Sequence, residues 1–208
     1  MRKVLFAPLL IICCALLIIA PAWGDESEEA RLNQQSQAAE GQEQTSSRAS
    51  SDARFQARLV QEIRHELVTL PYYDVFDWLE GAVTPDGTVV LRGQVVRPST
   101  KSDAGKRVSA IEGVERVDNQ IEVLPVSPGD DRLRLAIYRA IFNWNSPLFR
   151  YATRSVPPIH IIVNRGRATL KGVVANEGDR NIAYIRARGV PGLFGVTNEL
   201  EVENSQRR

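Results

Sequence analysis

The sequence contains only two cysteines and two histidines among its 208 residues, and this scarcity excludes several kinds of chemistry. Both cysteines, Cys13 and Cys14, lie inside the apolar N-terminal segment. Without that segment the chain has no thiol nucleophile, no disulfide and no thiolate ligand. His65 and His160 are far apart in the sequence, and no cluster of ligands at zinc-binding spacing accompanies either of them. We therefore predict no metal, no cofactor and a fold held together by apolar cores alone.

Catalytic and nucleic-acid motifs are also scarce. No nucleophile-elbow sequence occurs, and Asp74, Asp77 and Glu80, which cluster between a helix and a strand, are interpreted as solvated edge charges. The segment Gly189–Gly192 matches the G-x-x-G pattern of an RNA-binding loop, but it lies between a helix and a strand rather than in the loop that clamps a nucleic-acid backbone. We therefore expect a protein that is not an enzyme and does not bind nucleic acid.

The N-terminal 24 residues predict export. A positive start, an apolar run over 4–20 and small residues at 22 and 24 are typical of a secretory signal peptide spanning 1–24. An uncleaved membrane anchor is the alternative, because the run is just long enough to span a bilayer. Neither cysteine follows a small residue, so a lipid anchor is not expected. Residues 25–52, rich in Glu, Gln and Ser, are predicted to be a flexible acidic leader, and the protein is expected in the periplasm, free or peripherally membrane-associated.

The remainder of the chain contains an internal repeat displaced by 79 residues. LRGQV at 91–95 matches LKGVV at 170–174, and VDNQIEV at 117–123 matches VTNELEV at 196–202. Several matches in one register indicate a duplicated structural unit. We assign the first module to 53–124 and the second to 129–204, joined by a short proline-bearing connector.

The same order of elements is predicted in both modules. Helical spacing of apolar residues comes first, followed by two strands around a glycine turn, a second helix and a third strand. Such a unit packs economically as a three-stranded mixed sheet with two helices on one face. The predicted fold class is therefore α+β, with two tandem αββαβ modules.

Four residues at inward strand positions are given structural roles. Asn119 and Asn198 would bond to backbone groups at a bend or a strand end, because a buried amide needs partners. Gly93 and Gly172 would let a helix approach the sheet closely.

The repeated strand–Gly–helix–Gly–V-x-N-x-[IL]-x-V pattern resembles the BON domain of bacterial envelope proteins. Two such modules after a signal peptide are similar to the osmotically induced periplasmic and outer-membrane-associated members. The resemblance implies a non-enzymatic role in envelope integrity under osmotic stress, with phospholipid binding as the activity. The chain departs from lipid-anchored members because it lacks a lipid-modified cysteine.

The first helix of the second module carries two apolar stripes, whereas its counterpart in the first module carries one. Leu133, Ile137, Ala140, Ile141 and Trp144 form the stripe expected to face the core. The second stripe, its flanking arginines and the segment that follows are the predicted binding residues. These are Arg134, Leu135, Tyr138, Arg139, Phe142, Phe149, Arg150 and Tyr151, and we add Trp144 to them.

Three coverings for this second stripe remain open: the first module, an anionic phospholipid surface or an envelope protein. The first two could also combine, with one docked face and one lipid face. Aromatic rings mixed with arginine suit a bilayer interface. The second module also has eleven basic and seven acidic residues, a net charge of +4, against −2 for the first module. We therefore expect lipid binding through the second module. An assembly adaptor and a periplasmic stress chaperone are the alternatives.

Overall fold

The computed structural model describes residues 49–84 and 86–203. The described residues from Ser51 onward form one compact unit. The predicted signal peptide and the predicted leader as far as residue 48 lie outside the described residues. The described chain is helical from residue 49, so the last four residues assigned to the flexible leader belong to the first helix.

The first module has two helices and a sheet in which the third strand is interrupted. Its elements are α1 (49–68), β1 (Trp78–Val83), β2 (Thr88–Val95), α2 (Pro98–Ser109), β3 (Arg116–Asn119) and β4 (Glu122–Val123). Strand β1 pairs antiparallel with β2, while β3 and β4 both pair parallel with β2. The predicted third strand is therefore one path with a break at Gln120 and Ile121, where the side chain of Asn119 accepts a hydrogen bond from the Ile121 amide at 3.3 Å.

The second module repeats this order with a continuous third strand. Its elements are α3 (Pro128–Ile141), α4 (Phe149–Ala152), β5 (Ile159–Asn164), β6 (Arg167–Val174), α5 (Glu177–Arg188) and β7 (Gly195–Val202). Strand β6 pairs antiparallel with β5 and parallel with β7. The one-turn helix α4 has no counterpart in the first module and was not predicted. The α+β class and the two sheet modules are confirmed.

Each module has its own apolar core, built from the predicted stripes. In the first module, Leu59, Ile63 and Leu67 of α1 are buried against β2 residues such as Leu91. In the second module, Ile137 and Ile141 of α3 pack on the sheet in the same way. The second core also includes Val75, which belongs to the segment between α1 and β1. The two modules therefore share a junction while keeping separate cores.

Gly93 and Gly172 occupy positions that a side chain would block. Their φ angles are 128° and 120°, and a Cβ at either position would lie 1.9 Å from a backbone carbonyl oxygen, that of Trp78 or Pro158. The close neighbour is therefore the adjacent strand or the residue that leads into it. The expectation that these glycines admit a helix is wrong.

Within the described parts of the chain, no helix has both the length and the apolar character needed to cross a bilayer.

Candidate functional site

The side of α3 that carries Tyr138 and Phe142 faces the first module. The ring of Tyr138 lies 4.9 Å from that of Phe142 and 6.2 Å from that of Phe76, measured between centroids. Phe142 is only 6% exposed, and Tyr138 is partly buried against the same core. This part of the predicted second stripe is therefore covered by the 75–76 segment. Tyr138 and Phe142 are not available as an open binding surface.

Arg134 is buried as well, which corrects its assignment to the rim of a binding surface. Its side chain is 3% exposed, pairs with Asp131 and donates a hydrogen bond to the carbonyl of Val163 at 2.7 Å. A buried guanidinium needs such partners, because it has lost its hydration. Arg134 therefore ties α3 to the end of β5.

Tyr151 also belongs to the interior. Its hydroxyl donates to a carboxylate oxygen of Asp179 at 2.6 Å and accepts from the Ala175 amide at 3.0 Å. Arg150 pairs with the same carboxylate, although half of its own side chain stays exposed. Tyr151 therefore fastens α4 to the start of α5 and does not face an outside partner.

Trp144, in contrast to these buried residues, is exposed. The sequence pattern places it on the core-facing stripe of α3, but the helix ends at Ile141, three residues earlier. The indole is 78% exposed and lies 4.8 Å from the ring of Phe149, edge to face. Leu135 is 45% exposed and borders a small pocket with Phe76 and Arg97 of the first module, and Arg139 is exposed on α3. Of the predicted binding residues, Leu135, Arg139, Trp144, Phe149 and Arg150 are therefore the ones that solvent or a partner reaches.

The junction between the modules is aromatic. The imidazole of His160 is 6% exposed and lies 5.5 Å from the ring of Tyr73 and 5.1 Å from that of Trp78. The Ile161 amide donates to the carbonyl of Val75 at 2.8 Å, so the first module pairs with the edge of β5. Burial lowers the pKa of His160 and raises that of the Tyr73 hydroxyl. Burial therefore favours the neutral form of both groups.

Asp77 is buried, so it is not the solvated edge charge expected from the sequence. It is 1% exposed and accepts hydrogen bonds from the Val96 amide at 2.7 Å and the Asp74 amide at 3.4 Å. Burial, opposed by these hydrogen bonds, raises the pKa of the Asp77 carboxyl from 3.8 to about 6. Asp74 and Glu80, the other members of the cluster, are exposed.

A cleft of about 930 Å³ lies between α1 and β1 on one side and β6, β7 and residues 151–158 on the other. Lys171 sits on its wall, 3.0 Å from a carboxylate oxygen of Glu199 and 3.8 Å from one of Glu80. Its ammonium group also lies 5.8 Å from the ring centroid of Trp78. The positive charge of Lys171 is therefore already paired with the carboxylates of Glu80 and Glu199.

The two inward asparagines make the same contacts in both modules. The Asn119 amide nitrogen donates to the Lys101 carbonyl at 2.8 Å, and that of Asn198 donates to the Arg180 carbonyl at 3.1 Å. Each side-chain oxygen accepts from the amide two residues later at 3.3 Å. These contacts join the third strand to the second helix, as the structural interpretation expects.

Sequence reasoning missed Phe194, whose ring is 78% exposed beside the turn between β5 and β6. The repeat register held a signal for it, because position 194 corresponds to Glu115 in the first module. Among the described residues, no group of three or more His, Cys, Asp or Glu side chains could hold a metal ion.

Comparison with known proteins gives a family. The sequence profile of the BON domain matches residues 81–125 and 139–204. No curated protein matches the chain. Two solved structures of CdsD, a structural protein of the type III secretion system of Chlamydia trachomatis, are similar at 13% and 16% identity. They cover 72% and 69% of this chain and 96% of their own chains, with TM-scores of 0.28 and 0.27.

The BON profile falls on the two structural repeats, each of which contributes one matched segment. BON domains are generally non-enzymatic, and the family indicates an envelope-related protein. The chain belongs to the BON domain family and carries two BON segments in tandem.

Proposed function

We propose that this protein binds the surface of anionic phospholipid membranes through its second module, and that it supports envelope integrity without catalysing a reaction. The observation that carries the proposal is the contact between the exposed ring of Trp144 and the partly buried ring of Phe149. A tryptophan that is 78% exposed leaves a large apolar ring in water, and such a ring gains free energy when a partner covers it.

The chemistry around this pair fits the interface of a bilayer. Indole rings are enriched at the level of the lipid headgroups, because one edge is polar and the rest is apolar. Arg139 is exposed on α3, five residues before Trp144, and makes no ion pair with another described residue. Half of the Arg150 side chain is exposed next to Phe149. Guanidinium groups in these positions would meet lipid phosphates.

Net charge favours the second module over the first. The second module has a net charge of +4 and the first −2. Each basic residue close to an anionic membrane contributes about 1 kcal/mol to binding. Attraction to an acidic surface is therefore expected to orient the second module toward the membrane.

Flotation with vesicles tests the proposal. The full chain should float with vesicles that contain phosphatidylglycerol, and less with vesicles of phosphatidylcholine alone. Trp144→Ser should weaken binding roughly thirtyfold, because burying an aromatic ring contributes about 2 kcal/mol.

Tyr72→Ser is the matched control, since Tyr72 is an aromatic residue of the first module that is 51% exposed and lies 5.0 Å from the guanidinium of Arg97. This variant should float like the wild type. The proposal fails if the wild-type protein does not float, or if Trp144→Ser and Tyr72→Ser float equally. Either result would favour the assembly adaptor instead.

A further inference from the structure

The end of the second module opposite Trp144 carries a second exposed aromatic residue with unpaired arginines. This tip consists of Arg165, Gly166 and Arg167 in the turn between β5 and β6, together with Phe194 before β7. Phe194 is 78% exposed, and both arginines are exposed. Within the described residues, neither arginine side chain makes an ion pair.

Hydrogen bonds from the turn to the start of α3 hold the tip in a fixed shape. The buried carboxylate of Asp130, at the start of α3, accepts hydrogen bonds from the Arg165 amide at 2.9 Å and the Gly166 amide at 2.8 Å. Arg165 adopts a φ of 51°, which non-glycine residues rarely occupy. The Phe194 amide donates to the Gly166 carbonyl at 2.8 Å, so the ring is attached to the turn. An exposed Phe on an ordered turn is already placed for contact with a partner.

The equivalent turn of the first module has the opposite chemistry. In the 79-residue register, Asp86, Thr88 and Glu115 stand where the second module has Arg165, Arg167 and Phe194. The backbones match, because the Glu115 amide donates to the Gly87 carbonyl at 3.2 Å just as Phe194 does to Gly166. The fold of the turn therefore does not require arginine or an aromatic residue. Their presence in one copy alone is unexplained by packing.

The tip and the Trp144 pair lie at opposite ends of α3, which has 14 residues and is therefore about 20 Å long. Between them, α5 exposes Ile185 at 66%, with the exposed Arg188 one turn further along the helix. On α3, Arg132 and Arg139 are exposed, whereas Leu135 borders a small pocket with Phe76 and Arg97 of the first module. The helical layer of the second module thus exposes several arginines and one large apolar side chain between its two aromatic ends.

We propose that Arg165, Arg167 and Phe194 form a second membrane contact, so that α3 and α5 lie parallel to the surface of an anionic bilayer. This inference rests on the proposed function and adds the orientation of the bound module. Charge complementarity selects the partner, because several unpaired arginines accompany the exposed apolar side chains of this layer. A single contact at Trp144 would leave the opposite end of α3 away from the lipid.

Replacing the tip with the residues of the first module tests the inference. The variant Arg165→Asp/Arg167→Thr/Phe194→Glu should bind phosphatidylglycerol vesicles roughly tenfold more weakly or worse, because three favourable contacts are lost and two acidic groups are added. Arg54→Glu/Arg116→Glu changes the net charge by the same amount on the first module and should retain most of the binding. Circular dichroism and thermal unfolding should show that both variants remain folded.

A depth measurement gives an independent readout. Phe194→Trp should add quenching by brominated phosphatidylglycerol beyond that of the wild type, because the ring enters the lipid interface. If the wild-type protein floats, Trp144→Ser weakens flotation and the tip variant binds like the wild type, only the second contact is overturned. Absence of added quenching at position 194 overturns it as well. If the wild type does not float at all, the proposed function itself fails.

Discussion

Two arginines five residues apart on one helix have opposite environments. Arg134 is 3% exposed and bonded to a strand carbonyl, whereas Arg139 is exposed. Their chemistry is identical, so the difference comes from the angle at which each leaves α3. The same holds for acids, because Asp77 is buried while Asp74 is exposed. At this scale, residue type alone does not separate a binding residue from a packing residue.

Asp77 is expected to make the stability of the protein depend on pH. The folded protein holds the Asp77 proton up to about pH 6, whereas an unperturbed carboxyl releases it near pH 3.8. The folded state is therefore stabilised relative to the unfolded chain as pH falls through this window, by up to about 3 kcal/mol. His160, whose pKa burial lowers, acts in the opposite direction below its ordinary value of 6.5.

Chemical denaturation of the wild type and of Asp77→Asn at pH 4.5 and 7.5 isolates the contribution of Asp77, since His160 is common to both proteins. The substitution should raise the free energy of unfolding more at pH 7.5 than at pH 4.5. An equal effect at the two pH values would contradict the raised pKa.

At the scale of elements, the two modules share one plan and differ in how it is completed. Strand β7 runs unbroken from Gly195 to Val202, whereas the equivalent path in the first module is divided into β3 and β4. In both sheets a glycine with positive φ lets the first and second strands meet. A methyl group at Gly172 would stand only 1.9 Å from the Pro158 carbonyl oxygen, so the strand pair has no room for alanine there.

Gly172→Ala should therefore destabilise the protein by about 3 kcal/mol or more, because the pairing of β5 with β6 must shift to admit a methyl group. Gly129→Ala is the matched control. Gly129 lies in the first turn of α3 with only the Ser127 hydroxyl near its Cβ position, at 3.6 Å. That substitution should be neutral or stabilising, since alanine favours a helix. Thermal unfolding measures both, and equal melting temperatures would refute the steric explanation.

Across the whole molecule, the segment between α1 and β1 connects the two cores. Val75 lies in the core of the second module, and Phe76 packs on Tyr138. The backbone of Val75 also accepts a hydrogen bond from the edge of β5. This covering of Tyr138 and Phe142 couples the modules, and Arg139 and Trp144 are among the residues of this region that remain exposed.

Phe76→Ser should uncouple the modules, since it removes the ring that covers Tyr138. We expect the wild type to unfold in one transition and the variant in two, with the second module destabilised by about 2–3 kcal/mol. Calorimetry would show the division, and a nonspecific protease should cleave the connector near Val126, which is 95% exposed, more rapidly. Tyr72→Ser, at an exposed position four residues earlier, should change neither. One transition at the wild-type temperature would indicate that Phe76 is not needed for the coupling.

The order of elements and the core stripes could be predicted from the sequence because they depend on local periodicity. The repeat at 79 residues revealed two modules, and the helical spacing of apolar residues at the start of the first module falls on residues such as Leu59, Ile63 and Leu67, which are buried. The same register showed where the copies differ, as at Phe194. Apolar spacing and glycine positions determine local structure within a few residues along the chain, so they can be recognised from the sequence alone.

The covering of the second stripe was decided only by the tertiary structure. Tyr138 meets Phe76 from more than 60 residues away in the sequence, Phe142 packs on Tyr138, and Trp144 is exposed because α3 ends before it. Whether an apolar or charged side chain is buried depends on which distant segment lies over it, and periodicity carries no information about that. The sequence by itself determined two α+β modules, one of them basic and aromatic, while tertiary packing decided which of those side chains remain free to bind.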